Sequence, residues 1–184
     1  MSMPIMAPLP AVRLQPARPF TSTGVDYAGP YNIRVSKGQG QNSYKGYVAI
    51  FVCMVTRAVH IEVVSDYTSD AFISAFRRFI SRRGLCKRVY CDHGTTFQGA
   101  CNEVHKLFRQ STPFLKEVQE SLKKLEIEWT FIPPKGPHFG GLWESKVKSF
   151  KHHLKRVVAD STLTFEEFST LITQIEACIN SRPQ

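Results

Sequence analysis

Nothing in the sequence is apolar for long enough to cross a bilayer, which takes about 20 consecutive apolar residues, so no spanning helix and no membrane partner are expected. The opening MSMPIMAPLPAVRLQPARPF has no unbroken apolar run either. Pro4, Pro8, Pro10, Pro16 and Pro19 interrupt it, and no signal peptide is expected there. Cys53, Cys86, Cys91, Cys101 and Cys178 form no CxxC pair and are odd in number, which argues against a disulfide framework and for reduced thiols in an intracellular protein. Cys101 with His105 is a single pair where zinc takes about four ligands, so it reads as chance. Acid is also short, with 15 Asp+Glu against 24 Lys+Arg and a formal charge of +9. That excess makes a polyanion, nucleic acid foremost, the leading partner class. Apolar residues are not short: at 42%, with 13 Phe, a chain of 184 residues can bury one core without staples.

Residues 1–20 read as a Pro-rich, flexible lead-in and 21–184 as one domain. TSTGVDYAGPYNIRV reads as a strand broken at Gly29-Pro30. YKGYVAIFVCMVT and AVHIEVV read as two more strands of an antiparallel meander, separated by a turn at Thr56-Arg57. Thr68 or Ser69 can cap a helix in which Phe72, Ala75, Phe76 and Phe79 recur at helical spacing, Arg77, Arg78, Arg82 and Arg83 face solvent, and Gly84 stops the run. KRVYCD is a short fourth strand ending on Asp92. A helical stretch follows from about Ala100 to Leu125, interrupted at Pro113, and EIEWTFI is the fifth strand. PPKGPHFGG is expected to be a loop, 142–159 a helix, and 164–180 another that starts on a Thr164 and Glu167 capping box. The order predicts an α/β, RNase H-like architecture, a mixed five-stranded sheet flanked by helices.

Three acids stand out by context: Asp26 in the first strand, Asp92 at the end of the fourth, and Glu144 at the start of the penultimate helix. Carboxylates that converge can hold two hard divalent cations for phosphoryl transfer. Blander roles are open to each: Asp92 as a turn former, Asp26 as a partly exposed strand residue, Glu144 as a complement to a helix dipole. At about 100° per residue, Glu144, Lys148, Lys151 and Lys155 share a stripe roughly 60° wide, beside an apolar face of Trp143, Val147, Phe150, Leu154 and Val158. A solvated i,i+4 pair explains Glu144 and Lys148 equally well on an isolated helix. Asp66 and Asp70 read as capping or dipole residues, and Glu62 and Glu103 as surface ones.

GVDYAGPY, YCDHGTTFQGA, PPKGPHFGGLWESKVKSFKHHLKR and LTFEEFSTLITQIEACINSRP resemble the integrase catalytic core of long-terminal-repeat retrotransposons, the BEL/Pao-type group in particular. The likeness runs from about Leu9 onward. It implies an RNase H-like fold, an Asp26, Asp92, Glu144 triad binding two Mg²⁺ or Mn²⁺ ions, and 3′-end processing of element DNA followed by strand transfer into host DNA. It further implies DNA contacts at Lys148 and Lys151, extended here to Lys155 and His138, a homo-oligomer, and a nuclear location. Two departures accompany it. The family's Asp-Asn-Gly and Asn-Phe are Asp92-His93-Gly94 and Thr96-Phe97 here, and an imidazole such as that of His93 can titrate near neutral pH and compete for metal, or repel it when protonated. The absence of a preceding zinc module and the end at Gln184 are read as a core truncated at its C-terminus or a relic. The alternatives are a catalytically inactive module that binds nucleic acid or an oligomer partner, and an RNase H-like hydrolase of another substrate.

Overall fold

The computed structural model describes residues 17–38, 42–91, 127–131, 137–158 and 162–181. Strands β1 (Ser22–Arg34), β2 (Ser43–Cys53) and β3 (Val59–Val64) form the expected antiparallel meander. Gly29-Pro30 does not end β1. The strand continues through the pair, and its register with β2 shifts between Ala28 and Tyr31, an irregularity where a residue lacking an N–H donor is tolerated. Strand β4 (Arg88–Cys91) lies parallel to β1 with Gly24 opposite Tyr90, and β5 (Glu128–Phe131) lies parallel to β4. The sheet order is β3-β2-β1-β4-β5. A two-residue strand β6 (Leu163–Thr164), too short for any periodicity to announce, pairs with β1 at Ile33 and Arg34.

Three helices, α1 (Ser69–Arg83), α2 (Pro137–Val158) and α3 (Phe165–Asn180), flank this sheet among the described residues. The expected helical stretch at 100–125 lies outside those residues. Strand alternation sorts the core into two layers. On one side Phe72, Phe76 and Phe79 of α1 pack on Val25, Phe51 and Val89, with the Phe51 and Phe79 rings stacked at 4.2 Å. On the other, Val147, Phe150 and Leu154 of α2 and Phe168 and Ile172 of α3 pack on Ala28, Ile33, Ile50 and Tyr90. Full burial of each such side chain is worth about 1.5–3 kcal/mol, so the two layers rather than helix propensity hold these elements in place.

The helix ends follow local chemistry. Thr68 caps α1 by accepting from the Ala71 N–H at 3.3 Å, and Gly84, at φ 82°, donates its N–H to the Ile80 carbonyl. The Thr164 and Glu167 capping box opens α3. The start of α2 departs from expectation: Gly140 and Gly141 lie inside the helix, which begins at Pro137. Proline's fixed φ suits a first helical residue, and two interior glycines cost about 1 kcal/mol each, less than the burial of Phe150 and its neighbours returns. Arg18 and Phe20, counted with the lead-in, pack on the domain. Arg18 donates to the Arg83 and Leu85 carbonyls at the end of α1, and Phe20 is buried edge-on to Phe79 at 5.5 Å.

Candidate active site

Asp26 is half-buried on β1, and its Oδ1 accepts from the Tyr27 N–H at 2.7 Å. Val25 and Tyr27 belong to the α1 layer and Ala28 to the α2 and α3 layer, so alternation directs Asp26 to the latter face. Helix α2 packs on that face, across β1 and β2. Glu144 is exposed about two turns into α2, not at its start, because the helix begins at Pro137. A dipole role, which fades beyond the first turn, therefore does not explain it. The structure thus brings Asp26 and the helix carrying Glu144 to one side of the sheet. Asp92, His93, Thr96 and Glu103 lie outside the described residues, as do the side chains of His138 and Trp143. Tyr90, two residues before Asp92, belongs to the α2 layer, and β4 runs beside β1.

Lys148, Lys151 and Lys155 are exposed together with Glu144, while Val147, Phe150 and Leu154 are buried, as the helical stripe requires. No group of three or more His, Cys, Asp or Glu is placed to hold a metal ion among the described residues. As donors, the Asp26 and Glu144 carboxylates suit Mg²⁺ or Mn²⁺, which take oxygen ligands.

Glu62 corrects the sequence reading most directly. It is 5% exposed, not a surface residue. Its carboxylate accepts from His60 Nε2 at 3.0 Å, Arg78 Nε at 2.7 Å and Arg82 Nη1 at 3.0 Å. Glu176 of α3 lies 3.4 Å from His60 Nδ1 and pairs with Arg83. Burial works against charge on His60, but its hydrogen bonds to Glu176 and Glu62 and their negative charge outweigh it and raise its pKa. Burial likewise opposes ionisation of Glu62 and Glu176, yet His60 and the arginines pull both below the usual carboxylate range. Arg83 Nε also approaches His60 Nδ1, at 3.3 Å, a contact that needs an unprotonated Nδ1. The ring therefore chooses between accepting from Arg83 and donating to Glu176, and the raised pKa favours the second as pH falls. Arg78, Arg82 and Arg83 reach solvent as expected, and their heads also pair with the buried carboxylates of Glu62 and Glu176. Their signal was legible: His60 and Glu62, two apart on a strand, share one face.

No protein-family model matches the chain, and no curated protein does. Solved structures do. The chain is similar to the HTLV-2 integrase catalytic core domain in complex with magnesium, in its trimeric form, at 19% identity over 90% of this chain and 88% of that one, with a TM-score of 0.54. It is similar to the catalytic core domain of BIV integrase at 14% identity over 90% and 86%, with a TM-score of 0.54. A third likeness is to the simian T-cell lymphotropic virus intasome in complex with PP2A regulatory subunit B56 gamma, at 16% identity and a TM-score of 0.59. There the match takes in 98% of this chain, which spans only 55% of the other. The fold is RNase H-like, a mixed sheet of about five strands flanked by helices. Its solved neighbours are retroviral integrase catalytic cores.

Proposed function

We propose that the chain is an integrase-type polynucleotidyl transferase of a long-terminal-repeat retrotransposon, of the BEL/Pao type, which trims the 3′ ends of element DNA and joins them to host DNA. One observation carries this: α2, bearing Glu144, lies across β1 on the face to which Asp26 is directed, and β1 runs parallel to β4, whose next residue is Asp92. Asp26, Asp92 and Glu144 would hold two Mg²⁺ or Mn²⁺ ions, which supply Lewis acidity at the scissile phosphate when bound. Magnesium accompanies the HTLV-2 core. This chain's own contribution is placement. The buried face of α2 fixes the helix, and the exposed Lys148, Lys151 and Lys155 then hold strand phosphates beside Glu144, with His138 in the first turn of the same helix. The first step exchanges a phosphodiester bond for a bond to water, and the second exchanges one phosphodiester for another through the new 3′-hydroxyl. No external energy source is required for either. Residues 21–184 form the catalytic core in this reading, working as a homo-oligomer on DNA in the nucleus.

The test is an oligonucleotide assay with Mn²⁺. Wild-type protein cleaves or joins DNA ends, whereas Asp26→Asn and Asp92→Asn each reduce the rate by at least about 1,000-fold while leaving the melting temperature within a few degrees. Activity retained in Asp92→Asn would remove the triad. His93 and Thr96, where the resembled family has asparagines, favour a second reading as an inactive DNA-binding module. Metal-independent DNA binding without any joining is its signature.

A further inference from the structure

A cavity of about 640 Å³ opens between the irregular part of β1, the second half of α2 and the start of α3. Its size falls within the roughly 300–1,000 Å³ typical of small-ligand pockets. Lys151 and Lys155 stand at its edge, and Leu154 and Leu163 supply apolar wall. Tyr31 is half-buried beside it, braced by Phe168 with ring centroids 5.5 Å apart at 44°. Among the described residues no carboxylate lines it. A phenol is uncharged at neutral pH, and burial pushes that of Tyr31 further up, to about 12, so the ring does not repel an anion.

We propose that this cavity takes one unpaired nucleotide of a DNA strand, its phosphate on Lys151 and Lys155 and its base against Tyr31. The choice between duplex and single strand follows from the walls. A duplex needs only the lysines, because its base faces are already stacked; an aromatic and apolar wall behind a cationic rim offers something only to a splayed base. Tyr31 lies five residues beyond Asp26 on β1, roughly 15 Å along the strand, within reach of a DNA strand that passes Asp26. That DNA is the polymer rests on the integrase reading above; the pocket's charge and aromatic wall do not.

The experiment is fluorescence anisotropy in EDTA with oligothymidine and with a blunt duplex of equal phosphate number. Tyr31→Leu raises the Kd for oligothymidine about tenfold and leaves the duplex within twofold, in keeping with the loss of one base stack. Leu163→Ala, at the apolar wall, weakens the single strand more than the duplex, and carries the test should Tyr31→Leu melt early. Thymidine monophosphate competes where inorganic phosphate at the same concentration does not. An oligonucleotide carrying 5-iododeoxyuridine cross-links to the peptide containing Tyr31. Equal losses on both DNA forms, equal competition by phosphate, or cross-links confined to other peptides would overturn the pocket. Because divalent metal is absent throughout, failure of the end-joining assay leaves these readouts intact, and their failure leaves that assay intact.

Discussion

Glu62 behaves as a structural ion because three donors reach it inside the fold and little water does. Removing it as Glu62→Ala leaves His60 and Arg78 facing a void. The expected cost is about 3 kcal/mol by urea unfolding, at the lower end for a broken buried pair because the Arg78 and Arg82 heads keep contact with solvent. The pH dependence follows from the directions of the shifts. The pKa of His60 is raised above its ordinary 6.5, so its contribution is full below pH 6.5 and is lost as pH rises through the folded value. Glu62 and Glu176 are lowered from 4.5, so theirs is full above pH 4.5 and is lost as pH falls through their folded values. The melting temperature of wild type minus that of His60→Phe should therefore be greatest between pH 4.5 and 6.5 and shrink towards pH 9. A gap that widens at alkaline pH contradicts the protonated cluster.

Among the elements, β3 is an edge strand of the sheet, and side chains cover it. Asn180 accepts from the Val59 N–H and donates to the Val59 carbonyl, both at 2.8 Å. Glu176 accepts from the Ile61 N–H at 2.8 Å, and Arg78 donates to the Val63 carbonyl at 2.7 Å. A strand whose outward groups are engaged in this way is a poor template for another chain. Asn180→Ala should cost about 2 kcal/mol, since it strands two polar groups of a buried residue, and chemical denaturation should show the midpoint falling with the slope unchanged. Loss of the α3 cap in Thr164→Ala should cost about 1 kcal/mol in the same assay. The two cases differ in legibility. The cap is a local pattern of residues three apart, whereas the partner of Asn180 is 121 residues away in sequence.

Over the whole molecule, the formal charge of +9 already sets Glu62 and Glu176 against Arg78, Arg82 and Arg83, so the excess available to DNA comes mainly from other basic residues. The exposed lysines of α2 are the better candidates. Lys148→Ala combined with Lys151→Ala should weaken duplex binding and flatten the slope of log K against log salt by about 1.8, if each lysine neutralises one phosphate. An unchanged slope would place the DNA elsewhere. Helix α2 thereby serves two purposes: its buried side clamps the sheet, and its exposed side offers Glu144 and three lysines.

Periodicity and capping residues were enough to locate the antiparallel meander, α1, α3, the short parallel strands and the apolar side of α2, because those signals are written in neighbours one to four residues apart. The fold class followed from their order. Some local signals were ambiguous: Gly140-Gly141 looked like a turn but lies within α2, and Gly29-Pro30 looked like a break in the strand but is a register irregularity through which β1 continues. The side of the sheet that Asp26 faces, the helix laid across it, the burial of Glu62 and the pocket beside Tyr31 depended on the packed structure. Each is a relation between segments far apart in the chain, set by how two hydrophobic layers close on one sheet, and no window of sequence contains it.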